Sequence, residues 1–199
     1  MNQSVARYTK IAIILHGLIA LGIFAMFALG WYMDEIPKDA AKQAAFDLFD
    51  LGVMTWNMAE PVSPRTFYFN LHKSIGVTLF ALIAFRIYWR ITHRPPAMLA
   101  SYKPWETKLA TAVHHGLYLL MIAMPLTGLI MAINSKYGVM WFGVDLIAGL
   151  DNKDAREMFK EAHEIVGTIL VLAIIVHILG ALKHKIIDKD DTMKRMSMR

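Results

Sequence analysis

The sequence predicts an all-α membrane protein, a bundle of four transmembrane helices. Three observations carry that expectation. Hydrophobic residues make up 56% of the chain and charged residues 19%, against about 45–50% apolar and about 25% charged in average soluble domains. The apolar residues gather into four blocks, each close to the roughly 20 residues that a helix needs to cross the hydrocarbon core. The charges fall mainly between the blocks. A segment surrounded by lipid must satisfy its own backbone hydrogen bonds, so the blocks are read as helices.

The first span is expected over residues 11–32. Arg7 and Lys10 before it resemble the flank of a signal peptide, but the apolar run is 22 residues, longer than the roughly 7–15 of a signal h-region. No small-x-small cleavage site follows it, so the segment reads as a retained span. The outer loop, 33–68, is long for a bundle connection. Within it, 38–51 is rich in Ala, with Phe46, Leu48, Phe49 and Leu51 recurring among Asp and Lys. That stretch is expected to form a short amphipathic helix on the membrane surface, or a solvated loop helix.

The second span, 69–91, carries His72, Lys73 and Arg86, and the Arg94-Pro95-Pro96 turn should end its helix. A loop over 92–111 leads to the third span, 112–133, with His114 and His115 near its start and Pro125 inside. After a second outer loop, 134–161, the fourth span covers 162–182 and holds His163, Glu164 and His177. The tail, 183–199, is charged, and its last dozen residues are expected to be disordered. The whole chain, 1–199, reads as one domain.

Basic residues set the orientation. One side of the membrane receives Arg7 and Lys10, then Arg86, Arg90, Arg94, Lys103 and Lys108, then the lysines and arginines of the tail. The other side holds the remaining bases, Lys38, Lys42, Arg65, Lys73, Lys136, Lys153, Arg156 and Lys160, among twelve of the sixteen acids. Both termini and the 92–111 loop are therefore expected in the cytoplasm, and the two other loops outside. No nucleic-acid partner is expected.

The chain has no cysteine. That excludes disulfides, iron–sulfur clusters, thiolate-ligated haem and the C-x-x-C-H attachment of covalent haem. Any haem must be held non-covalently, through His or Met. There are eight histidines, most of them inside apolar blocks, where an ionisable side chain is costly and marks a candidate site.

Their depths group them. At about 1.5 Å per residue, His16 lies roughly 9 Å inward from Lys10, and His177 roughly 9 Å inward from Lys183. His72 and His163 each stand at the outer end of their spans. Two histidine pairs on different helices, at two levels, is the arrangement that bis-imidazole haem requires, with one ring on each face of the iron. His163 and His177 are fourteen residues apart, about four turns, so both project from nearly one face about 21 Å apart. Gly76 and Gly167 follow His72 and His163 by four residues. A missing side chain there leaves room for a flat macrocycle or for close helix packing. Arg86, fourteen residues after His72, shares its face at the inner level, where a haem propionate or snorkelling to the headgroups would account for its charge. His114 and His115 lie at the inner level too, so spacing alone leaves four candidate ligands there.

The chain resembles the bacterial cytochrome b561 family over nearly its whole length. The resemblance rests on Leu15-His16-Gly17, the segment from His72 to Arg86, and His114 through Tyr118 to Pro125-Leu126-Thr127-Gly128. It extends to Trp141-Phe142-Gly143 and to His163 with His177. It implies a multi-pass protein of the bacterial inner membrane with two b-type haems inside the bundle. It also implies that His16 and His177 ligate the cytoplasmic-side haem and His72 and His163 the outer one. His114 and His115 then become non-ligands near a quinone or proton path. One branch of the family oxidises superoxide and reduces ubiquinone, which makes superoxide the expected donor. Other branches serve as haem-b anchor and relay subunits for a dehydrogenase or hydrogenase partner. Two features depart from the superoxide-oxidising pattern: a longer first outer loop, and a net acidic outer surface that repels an anion at long range. Arg65, Lys73 and Lys160 are the bases available for a local positive mouth.

Overall fold

The computed structural model describes residues 6–48, 51–99 and 101–198. Four helices dominate: α1 (Lys10–Glu35), α2 (Pro64–Thr92), α3 (Pro104–Ile133) and α4 (Lys153–Lys183). All four are long and apolar enough to cross a membrane. A hairpin of β1 (Gln43–Asp47) and β2 (Thr55–Val62) joins α1 to α2. A second, β3 (Val139–Trp141) with β4 (Val144–Ile147), joins α3 to α4. Both hairpins lie at one end of the bundle, the hairpin end. The N-terminal segment, the α2–α3 connection and the C-terminal segment meet at the other, the tail end.

Helix limits follow from caps rather than from hydropathy. Thr9 Oγ1 accepts from Ala12 N and Ser63 Oγ from Thr66 N, while Asn152 Oδ1 accepts from Ala155 N, each satisfying an amide that the first turn leaves without a partner. Pro64 and Pro104 occupy first-turn positions, where a missing N–H costs nothing. The helices consequently run past the apolar blocks, by nine residues at the start of α4. Large apolar side chains such as Leu21, Leu119 and Leu172 stand outward, each more than half exposed, as lipid-facing positions do.

Two expectations are overturned. The described residues of the 38–51 stretch form no α-helix, because β1 pairs with β2 and its Phe46 inserts between Phe67 and Tyr68 of α2. The Phe46 and Phe67 rings stack at 4.2 Å. Pairing and packing outweigh the helical bias of alanine. Phe49 and Asp50 lie outside the described residues, as do residues 1–5, Ala100 and Arg199.

The described residues of the tail, 183–198, fold against the bundle rather than forming a solvated coil. A π-helical turn over His184–Asp188 and a 3-10 turn over Met193–Met196 follow α4. Arg195, 5% exposed, donates from Nε to Ala6 O at 3.2 Å and from its terminal nitrogen to Ala97 O, and its own carbonyl accepts from Tyr8 N. Lys183 bridges Glu106 and Asp188, both at 2.6 Å. Tyr102 stacks on His184 at 4.5 Å and shares a 2.7 Å hydrogen bond with Thr192. His184 Nδ1 is 2.7 Å from Asp190 Oδ2. Burial opposes ionisation of Asp190, but hydrogen bonds from Thr192 and His184 outweigh it and hold the carboxyl below its ordinary range.

Candidate functional site

The histidines of the spans form two groups. At the tail level, His16 of α1 faces His177 of α4 with ring centres 6.2 Å apart and planes at 44°. At the hairpin level, His72 of α2 faces His163 of α4 at 6.4 Å and 78°. All four are half-buried. The donor sets can be tested against haem iron by distance. Two metal–imidazole bonds of about 2 Å each, plus about 1 Å from each nitrogen to its ring centre, separate the ring centres by roughly 6 Å. Both pairs fit.

His163 is held in a defined orientation. Its Nδ1 lies 3.0 Å from the Met124 carbonyl and 3.1 Å from Thr127 Oγ1. The carbonyl can only accept, so Nδ1 carries the proton and the Nε2 lone pair is left for a metal. Thr127 bonds back to the carbonyls of Ala123 and Met124, in the turn where Pro125 lacks an amide. Gly128 completes that wall. A Cβ at Gly128 would sit 2.9 Å from His163 Cε1, so the glycine is what allows the ring this close to α3. Gly30 does the same more loosely for His72, with 3.9 Å to Cε1. Sequence reading singled out neither glycine for this role, because each acts across helices rather than at a fixed offset along one.

Gly76 and Gly167, singled out in the sequence, face the ends of methionines. A Cβ would meet Met26 Cε at 3.5 Å and Met124 Cε at 3.2 Å respectively. Both are flexible side chains that can yield space. His72 Nδ1 is buried and makes no hydrogen bond among the described residues, and the same holds for Arg86 Nε. The Arg86 guanidinium lies 5.9 Å over the Tyr118 ring, within electrostatic reach of His16, His114 and His177. A half-buried arginine whose buried Nε has no partner among the described residues, beside a histidine pair, is suited to an anionic group, as a propionate is.

His114 also approaches His177, with ring centres 5.4 Å apart in an edge-to-face arrangement. It lines a cleft of about 330 Å³ between α2 and α3, together with Arg90, Thr111, His115 and Tyr118. His115 is exposed. At the hairpin end, Arg65 bonds the carbonyls of Met33 and Ile36 and sits 3.8 Å from Asp34, while Lys160 pairs with Glu164 at 3.1 Å. Lys73 lies against the Gly138 carbonyl at 3.2 Å. Of the three bases, then, Lys73 alone makes no ion pair among the described residues.

A four-helix membrane bundle with opposed interior histidines at two depths is the architecture of a membrane redox protein. Residues 7–198 match the family model described as prokaryotic cytochrome b561. Cytochrome b561 homolog 2 of Escherichia coli K12 is 33% identical over 192 residues, covering 96% of this chain and 90% of that protein. A Yersinia pestis protein named "Probable superoxide oxidase CybB" is 29% identical over 154 residues, 73% of this chain and 86% of its own. Cytochrome b561 homolog 1 of E. coli is 28% identical over 130 residues, 64% and 73% of the two chains. The chain belongs to the prokaryotic cytochrome b561 family. It is a bacterial multi-pass membrane protein of the haem-b electron-transfer class.

Proposed function

We propose that this chain holds two haem b groups, one at each histidine level, and passes electrons from an outer donor to a membrane quinone. The observation that carries the reading is the pair of ring spacings, 6.2 and 6.4 Å, on one shared helix at two depths. Bound haem supplies reversible one-electron chemistry at its iron, and the chain supplies binding, orientation and charge. His16 and His177 hold the tail-level group. His72 and His163 hold the hairpin-level group, His163 through the Nε2 that its Met124 bond leaves open. Arg86 receives a propionate. The excess of basic residues at the tail end supports a cytoplasmic position for that end and both termini, in an inner membrane.

The α2–α3 cleft is the proposed quinone site, and ubiquinone the proposed acceptor. Its volume, about 330 Å³, lies at the small end of ligand pockets and suits a quinone head group. His114 borders both the cleft and His177, so an occupant there adjoins the tail-level pair. Arg90 offers a donor to a quinone oxygen, and exposed His115 is placed to bring protons from water. Two superoxide anions each lose one electron and leave as oxygen, while the quinone takes up both electrons and two protons to become quinol. The name of the Yersinia relative supports superoxide as donor, and Lys73 is the base available to draw it in.

The acid-rich hairpin end favours a second reading, in which the chain is a haem-b anchor and relay for a dehydrogenase or hydrogenase docked there. One experiment separates the two. Purified protein in lipid, given a superoxide flux and a ubiquinone analogue, should form quinol faster than superoxide dismutes. No acceleration, with a dehydrogenase or hydrogenase co-purifying, supports the relay.

A further inference from the structure

The second hairpin lies along α2 rather than standing clear of the bundle, and its contacts fix its depth. Gly22 is at the middle of the apolar run of α1, and a Cβ there would sit 2.5 Å from Leu79 Cδ2. Leu79 is therefore level with the middle of the span. Trp141 Nε1 donates to the hydroxyl of Thr78, the residue before it, at 3.0 Å. Phe142 N donates to Ser74 Oγ at 2.9 Å. Ser74 is about 7.5 Å from the mid-level, and half a hydrocarbon core is about 15 Å. The turn of the hairpin therefore stands roughly 7 Å below the hydrocarbon boundary.

We infer that the β3–β4 hairpin is a re-entrant element, inserted from the hairpin end into the lipid with its outer face in contact with acyl chains. Non-helical backbone survives at that depth only where protein satisfies its polar groups, and α2 provides a polar ledge for that purpose. Lys73 donates to Gly138 O. Ser74, 2% exposed, accepts from Phe142 N and lies 3.4 Å from Met140 O. Thr78 takes the Trp141 indole. Val139 packs inward at 2% exposure, while Val144 and Leu146 stand outward at 56% and 49%. Asp145, the hairpin's charge, pairs with Met140, one residue or about 3 Å nearer the headgroups than the tip pair.

The tip itself argues for an apolar solvent. Trp141 pairs with Val144, so the loop is Phe142–Gly143, and both residues have positive φ, 46° and 91°. Two-residue loops of this kind favour Asn or Asp before Gly, and a left-handed bulky residue is unusual. Phenylalanine there is costly in backbone terms and suited to lipid, where an asparagine would be left with unsatisfied polar atoms.

The cysteine-free chain makes the test direct. Val144→Cys is compared in lipid nanodiscs with Asp39→Cys, a hairpin-end loop reference, and Leu172→Cys, a lipid-facing reference. A charged maleimide should label Val144→Cys at least tenfold more slowly than Asp39→Cys. A nitroxide at Val144→Cys should be open to oxygen and shielded from a nickel chelate, as at Leu172→Cys. Labelling and nickel access equal to those at Asp39→Cys would overturn the inference. Protection from both oxygen and nickel would also overturn it, since protein rather than lipid would then cover the hairpin. Leu146→Cys repeats the measurement if Val144→Cys fails to assemble. None of these readouts depends on haem.

Discussion

Gly128→Ala isolates the hairpin-level site without touching a ligand. The added Cβ would lie 2.9 Å from His163 Cε1 and 3.1 Å from Nδ1, whereas carbon atoms rest at about 3.5–4.0 Å, so the ring must retreat by roughly 0.6–1 Å. Nδ1 begins 3.0 Å from Met124 O and 3.1 Å from Thr127 Oγ1, and that retreat carries it past the roughly 3.2 Å limit of a good hydrogen bond. Overpacking at about 1–3 kcal/mol and a lost hydrogen bond at about 0.5–1.5 kcal/mol together make roughly 1.5–4.5 kcal/mol of local destabilisation. The imidazole also loses the bond that fixes its tautomer. The assay is haem per chain by extraction, with a redox titration of the purified protein. Haem should fall from two towards one, or one redox component should shift while the other stays. Gly116→Ala on the same helix, where a Cβ meets nothing within 4 Å, should change neither. Unchanged content and titration in Gly128→Ala would refute the placement of His163 as a positioned ligand.

Three further outcomes are expected. His177→Ala should lose the tail-level haem and His114→Ala should keep both, and halved haem in His114→Ala would transfer the ligand role from His16 to His114. His115→Gln should leave the haem spectrum intact and slow quinol formation about a hundredfold, the low end of what a positioned proton donor supplies. Asp190 carries a folded-state pKa below its unfolded value. Its share of stability is therefore complete above the ordinary carboxylate pKa of about 4 and is lost as pH falls through the lower folded value. Thermal melts of Asp190→Asn should lack that acid-dependent step, and an identical acid profile would remove Asp190 from the tail clasp.

What the sequence made legible is what the bilayer and the haem iron dictate. Lipid thickness fixes the length of an apolar block, so four blocks could be read as four helices. The helical repeat fixes which side chains share a face, so His163 and His177 could be placed on one stripe and matched in depth with His72 and His16. What acts between distant segments was hidden. Phe46 belongs to an alanine-rich stretch that reads as helix until Thr55–Val62 and the Phe67 and Tyr68 rings are beside it. The charges of the tail suggest a solvated coil, yet several of them are paired, Lys183 with Glu106 and Asp188, His184 with Asp190, and Arg195 with backbone carbonyls. Gly30 and Gly128 gain their meaning only once the ring from another helix has arrived. The asparagine, serine and proline at the helix starts were visible in the sequence, and they mark the helix ends better than hydropathy does.

The most direct measurement of the central claim is haem b per chain together with the low-temperature EPR of the oxidised protein in lipid. Two haems per chain, both low-spin with two imidazole ligands, are predicted, and His163→Ala should remove one signal and His177→Ala the other. One haem per chain, or a high-spin signal that survives in both variants, would contradict the account.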